Sequence, residues 1–292
     1  MPRLTRVHTE VMLATRGKVS GWLDGAHQSV NAGRSLEFHD VREYVRGDDV
    51  SDIDWKASAR GGQLLVQRHV AERRTTLLIA LATGRSMAAM ADPSTVKRDL
   101  MLDAAATLAS LALASGDYVG MLHFGAPGAV AARPSTRAVR VERMLTEAEK
   151  ASTLTSPDAD LAVLLERTGA SIRRRGIVAV ITGDVDIDAN LEARLRRLAV
   201  QHTVFLVVVP DMDPTDEQLS RAVHDLDAAR DLPRAILTHP TLAAAWRADV
   251  AERALRRNTA LARLAIPTVT LAPEKPVVPQ LLGWLKGVRR AA

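Results

Sequence analysis

The chain has no cysteine, few aromatic residues and no long apolar run, and each shortage closes off a class of function. The absence of cysteine from 292 residues excludes disulfides, thiolate metal centres and cysteine nucleophiles, and it agrees with a reducing compartment. The longest apolar stretch, Thr203 to Pro210, falls far short of the ~20 residues that a membrane-spanning helix needs. The opening run MPRLTRVHTEVMLATRG has neither the apolar core nor the small-residue cleavage site of a signal peptide. These readings predict a cytoplasmic protein with no membrane insertion. Lysine is also scarce, at six of 39 basic residues, so arginine supplies most of the positive charge behind a net +5. Arg173 to Arg175, Arg256–Arg257 and Arg289–Arg290 are the visible clusters. They read as a solvated surface, two of them near helix ends where a cation opposes the negative end of the dipole. No zinc-finger spacing, RNA-binding aromatic signature or helix-turn-helix pattern accompanies them, so a nucleic-acid partner is not expected.

Catalytic patterns are equally thin. The eight histidines (His8, His27, His39, His69, His123, His202, His224 and His239) form no metal-binding pair at helical spacing. There is no nucleophile elbow, no Walker loop and no glycine fingerprint after a strand. The sequence therefore predicts a protein without enzymatic activity and without a cofactor.

What is present is an alternation of strand and helix from residue 75 onward. Thr75–Ala82, Ile177–Ile181, Thr203–Val209 and Thr268–Leu271 are apolar runs of the kind found in strands buried on both faces. Tyr118–Phe124 and Ala129–Ala132 add two more strands around a Gly-Pro-Gly turn region. Helical spacing marks Ser94–Ser115, Arg137–Ala151, Asp160–Arg175, Leu191–Val200, Leu242–Leu264 and Val278–Val288. The stretch 210–240 begins with a turn at Pro210, Asp211, Asp213 and Pro214 and continues with polar, helix-like character. This order predicts an α/β fold, a doubly wound and mostly parallel sheet covered on both faces. Ligands in such folds meet the carboxyl edge of the sheet, which selects the loops after Ala82, Phe124 and Ile181. The expected division is an N-terminal extension over 1–72 and the α/β domain over 73–292.

The extension holds the densest mixture of charge and aromatics, GRSLEFHDVREYVRGDDVSDIDWKASARGGQLLVQR from Gly33 to Arg68. Phe38, Tyr44 and Trp55 are three of nine aromatic residues in the chain. Around them stand Glu37, Arg42, Asp48, Asp49, Asp54, Lys56, Arg60 and, beyond the segment, Glu72. Two readings stay open. In one, Arg42, Arg60, Asp48, Asp54 and Glu72 form a charge network that pins the extension to the sheet, with Trp55 and Phe38 as apolar anchors. In the other, the same groups face outward as a docking surface, since aromatics and arginine are what interface hot spots prefer. A third possibility is chemical: Asp48, Asp49, Asp52 and Asp54 serving a metal-dependent hydrolase or nuclease. The run lacks the glycine and terminal glutamate of a calcium loop, and Arg46 and Lys56 flank it. A turn followed by ion pairs is the preferred reading there.

The run LEFHDVREYVRGDDVSDIDWKASAR, 25 positions without a gap, resembles the bacterial family called domain of unknown function 58. Its EF pair, REY triplet, GDD turn, IDW triplet and SAR ending carry the likeness. The resemblance implies a von Willebrand factor A-like domain with an N-terminal extension. It also implies a protein-binding role beside a MoxR-type AAA+ ATPase in the assembly or activation of a client protein. Domains of that type often hold Mg²⁺ in a metal-ion-dependent adhesion site. Its pattern is D-x-S-x-S after the first strand, a threonine in a second loop and an aspartate after the fourth strand. Here the first motif reads Ala82-Thr83-Gly84-Arg85-Ser86 and the threonine position falls at Ala159. Only Ser86 and Asp184 remain, and Arg85 adds positive charge, so a degenerate site without metal is expected.

Overall fold

The computed structural model describes residues 1–16, 38–45, 53–69, 74–125, 128–216, 219, 223–226, 230–233 and 237–291. The chain divides into two compact units, one formed by Met1–Val30 with Thr75–Ala292 and the other by Asn31–Arg74. The expected seam near residue 72 therefore lies close to the end of the smaller unit, while the start of the chain belongs with the larger one.

The first element is a helix that the sequence reading did not mark, α1 (Arg3–Thr15). Leu4, Val7 and Val11 line one face of it and are buried in the main core. Its amino end has no local cap, because Pro2 offers no side-chain acceptor. Glu142, far along the chain, accepts instead from the backbone N–H of Arg3 at 2.8 Å and of Leu4 at 2.7 Å. Arg3 adds bonds to Asp103 at 2.6 Å and Asp99 at 2.9 Å. Burial alone would lower the Arg3 pKa, but Asp103 and Asp99 raise it above its ordinary value.

In the smaller unit β1 (Phe38–Glu43) pairs antiparallel with β2 (Leu65–His69), and the short helix α2 (Trp55–Gly61) lies between them. Asp54 starts that helix by accepting from the N–H of Lys56 at 3.1 Å and Ala57 at 2.9 Å. Gly62, at φ 69°, ends it in the left-handed conformation that glycine adopts without strain. The buried Ser58 hydroxyl then ties the helix to the strand, donating to the Asp54 carbonyl at 2.7 Å and accepting from Leu65 N–H at 2.8 Å.

The larger unit is built on a sheet containing β3 (Thr76–Leu81), β4 (Tyr118–Gly125), β5 (Gly128–Ala131), β6 (Ile177–Thr182), β7 (Thr203–Val208) and β10 (Thr268–Thr270). A separate two-stranded hairpin is formed by β8 (Val223–Asp225) and β9 (Arg230–Leu232). The sheet order is β10-β7-β6-β3-β4-β5, and every neighbouring pair is parallel except β4 with β5. The first strand of this sheet lies in its middle and the chain winds outward in both directions, which is the doubly wound α/β fold expected from the sequence. Alternate residues of the strands enter opposite cores. Leu77, Ile79 and Leu81 join the core on one face with α1, α3 (Lys97–Ala114), α4 (Ala138–Lys150) and α8 (Val277–Ala291). Leu78 and Ala80 join the core on the other with α5 (Leu161–Ser171), α6 (Ala189–Gln201) and the end of α7 (Pro240–Arg263). Each fully buried leucine or isoleucine in these layers contributes about 1.5–3 kcal/mol.

Three boundaries differ from the sequence reading for physical reasons. Helix α3 starts at Lys97 rather than Ser94 because Asp92 folds residues 92–95 into a side-chain turn, accepting from Ser94 N–H and Thr95 N–H at 2.7 Å each. Helix α5 stops at Ser171, and Ile172 is already extended before the arginine run. Within 210–240, the described residues form the β8–β9 hairpin where helix-like character was expected.

Candidate functional site

Strand order reverses between β3 and β6, and the crevice at such a switch point is where open α/β sheets receive ligands. The loops that leave the carboxyl ends of β3, β6 and β7 meet there. Thr83 follows β3 and is fully buried, and its hydroxyl both donates to Phe124 O (2.5 Å) and accepts from Phe124 N–H (2.8 Å). Gly84 has φ 142°, and a Cβ there would lie 2.6 Å from the Pro157 carbonyl and 3.0 Å from Ala159 N, so only glycine lets the two loops touch. The loop bearing Ala159 thus sits against the Thr83–Gly84 turn, and Ser86 follows on a 3₁₀ turn, Arg85–Ala88. After β7, Met212 N–H donates to Met90 O at 3.1 Å, fastening that loop to the segment behind the 3₁₀ turn.

Between these loops, the β8–β9 hairpin and α7 lies a cavity of about 760 Å³, within the ~300–1,000 Å³ usual for ligand sites. Ser86, Asp184, Asp211, Asp213, Met90 and Met212 line its floor and one wall. Helix α7 supplies the other wall through Trp246, Val250, Ala254 and Arg257, spaced as one helical face. A stripe of that kind normally packs against protein, yet over its first turns α7 buries only Ala243 and leaves Trp246 40 % exposed. Arg253 lies over the Trp246 ring, 6.0 Å from its centroid.

The charges of the cavity are matched from within. Lys97, with its side chain 2 % exposed, bonds Asp211. Arg257, equally buried, bonds Asp184, and burial pushes its guanidinium below the ordinary range. Burial alone would raise the Asp213 carboxyl. Bonds from Thr215 Oγ1 (2.6 Å), Thr215 N–H (2.8 Å) and Arg247 Nε (3.1 Å) outweigh it and hold the group below the usual carboxylate range. His224 on the hairpin places Nδ1 2.9 Å from Asp231 Oδ1, but no hydroxyl bonds its other ring nitrogen among the described residues. A metal does not fit this donor set. Among the described residues no three His, Asp or Glu side chains cluster closely enough to hold an ion. Asp184 is engaged by Arg257, and Arg85 turns outward to Asp158 at 2.7 Å.

The residues singled out in the sequence are thus split. Ser86 and Asp184 come together at the cavity. Tyr44, Asp54, Trp55, Lys56 and Arg60 lie in the smaller unit. Tyr44 N–H donates to Leu64 O at 2.8 Å. Trp55 is 63 % exposed, and Lys56 and Arg60 are exposed as well, so Trp55 is not a buried anchor. Phe38 and Arg42 sit on β1 opposite His69 and Val66. Glu37, Asp48, Asp49 and Glu72 lie outside the described residues. Lys97 and Arg257 were missed. Arg257 had been grouped with Arg256 as solvated surface, but Arg256 stays out with Glu252 at 2.6 Å while Arg257 turns inward.

A family model for proteins of unknown function, DUF58, matches residues 40–259. The chain belongs to the DUF58 family. It is 30% identical to the uncharacterized protein Rv1480 of Mycobacterium tuberculosis and to the uncharacterized protein Mb1516 of Mycobacterium bovis, each alignment covering 100% of this chain and 92% of the relative. Among solved structures, this DUF58 chain is similar to an aerotolerance-related membrane protein from Bacteroides fragilis, with 11% identity, a TM-score of 0.48 and coverage of 75% of this chain and 100% of that one. A von Willebrand factor type A structure from Catenulispora acidiphila gives 11% identity, a TM-score of 0.39 and coverage of 78% and 44%. Among the described residues of the DUF58 chain, no helix is long and apolar enough to cross a membrane.

Proposed function

We propose that the chain is a binding module without a reaction of its own, receiving a protein partner in the cleft at the carboxyl edge of the sheet. One observation carries this reading: the polar groups of the cleft are engaged by the protein itself. Thr83 is held by Phe124, Asp184 by Arg257, Asp211 by Lys97 and Asp213 by Arg247. What the cleft offers a visitor is apolar surface, with Trp246 at its wall, and exposed tryptophan beside arginine is the composition that interface hot spots favour. A metal-independent cleft agrees with the loss of oxygen donors at Ala82, Gly84 and Ala159. Asp54, the described member of the acidic cluster, spends a carboxylate oxygen on two backbone N–H groups, which suits a helix cap better than a metal ligand in a hydrolase.

The partner we assign is a MoxR-type AAA+ ATPase, with the pair acting in the cytoplasm on the assembly or activation of a client protein. The support is the motif running from Leu36 to Arg60, whose family resemblance implies that ATPase, together with a cysteine-free sequence suited to a reducing compartment. Affinity capture of the MoxR-type ATPase encoded beside this chain, with ATP, with ADP and without nucleotide, is the test. Capture in at least one nucleotide state supports the assignment. No association in any state removes it.

A further inference from the structure

The floor of the cleft holds a charge balance that no loop motif announces. Lys97 is the first residue of α3, where the partial positive charge of a helix start opposes an ammonium group. Its side chain is nonetheless 2 % exposed, and Asp211 is the carboxylate that keeps it there. On another side stands Gly183, directly after β6. A Cβ at Gly183 would lie 3.2 Å from Lys97 Nζ and 3.5 Å from Met87 Cε. Any side chain there would compete with the ammonium for its space. Arg257 arrives from α7 and binds the next residue, Asp184. Two carboxylates on loops after β6 and β7 are thus met by two buried monovalent cations, the charge that a single divalent ion would bring.

We propose that Lys97, paired with Arg257, is a built-in substitute for a divalent cation: an ammonium tethered to α3 occupies a cation site formed by the loops after β3, β6 and β7. A tethered cation never dissociates, so the loops are fixed without any ion from solution. Asp184 and Asp211 are poor ligands for an added metal as long as both cations are in place. The inference deepens the reading of a metal-independent cleft but makes no use of the ATPase, so the two stand or fall by different measurements.

The test follows thermal unfolding of the whole chain in EDTA and in millimolar Mg²⁺ or Mn²⁺, for the wild type and Lys97→Ala. The wild-type midpoint is expected to be the same in all three solutions. Lys97→Ala, which vacates the site and leaves Asp211 without its cation, is expected to unfold about 5–15 °C lower in EDTA. Mn²⁺ should restore at least half of that shift, and adding Asp211→Asn should abolish the restoration. A depressed midpoint that Mn²⁺ leaves unmoved overturns the substitution, as does a variant that melts with the wild type. A wild-type midpoint raised several degrees by either ion overturns it too, whether or not the variant folds.

Discussion

Arg257 of α7 and Asp184 of the loop after β6 form an ion pair across 73 positions of sequence, with side-chain exposures of 2 % and 17 %. The unequal burial gives the pair a direction. Asp184→Asn leaves a guanidinium in the interior with no opposite charge, and stability should fall by about 3–5 kcal/mol. Arg257→Met leaves a carboxylate that can still reach water, and the loss should be about 1–3 kcal/mol. Urea unfolding of both variants reads the difference; equal losses, or the reverse order, would show that burial does not set the cost.

Glu142 should matter to a helix it does not belong to. Because its two carboxylate oxygens accept from Arg3 and Leu4 N–H, Glu142→Ala removes both the cap and the negative charge at the start of α1. A loss of about 1–2 kcal/mol is expected, with faster amide exchange over Arg3–Thr15. Unchanged exchange in α1 would contradict the capping role.

Stability should decline on mild acidification. His202 is 3 % exposed and both its ring nitrogens lack partners; burial first, and then Arg175, lower its pKa. Burial also lowers the pKa of His123, only partly offset by Glu147. The unfolded chain takes up protons at about pH 6.5, whereas the folded chain resists until lower pH. Stability therefore falls as pH drops below about 6.5 toward the folded values, and it is flat above that range. His202→Leu should shrink this dependence in urea titrations at a series of pH values; an unchanged slope would place the effect elsewhere.

Trp55 separates a brace from a docking surface. At 63 % exposure, Trp55→Ala should change stability by no more than about 0.5 kcal/mol, yet weaken capture of the ATPase by about tenfold or more. A large stability loss with capture intact would assign Trp55 to the scaffold.

The strands of the sheet were legible because Thr76–Leu81, Ile177–Thr182 and Thr203–Val208 are buried on both faces and read as unbroken apolar runs. Helix α1 was not, since its cap comes from Glu142 rather than from a neighbouring residue. The β8–β9 hairpin was missed because three-residue strands carry too few positions for a period to show. At the cleft, Ser86 and Asp184 could be found from loop positions alone. Lys97 and Arg257 could not, because their partners lie 114 and 73 residues away and a charged residue in a helical pattern reads as solvent-facing. The glycine at 183 was the one local sign, and its meaning depends on what stands beside it.

Manganese binding decides whether the cleft carries its own cations. Electron paramagnetic resonance of Mn²⁺ titrated with the full chain counts bound ions directly, with no variant required. The free-ion signal should persist undiminished at equimolar protein. Stoichiometric loss of that signal at micromolar concentrations, reversed by Asp184→Ala, would contradict a cleft neutralised by Lys97 and Arg257.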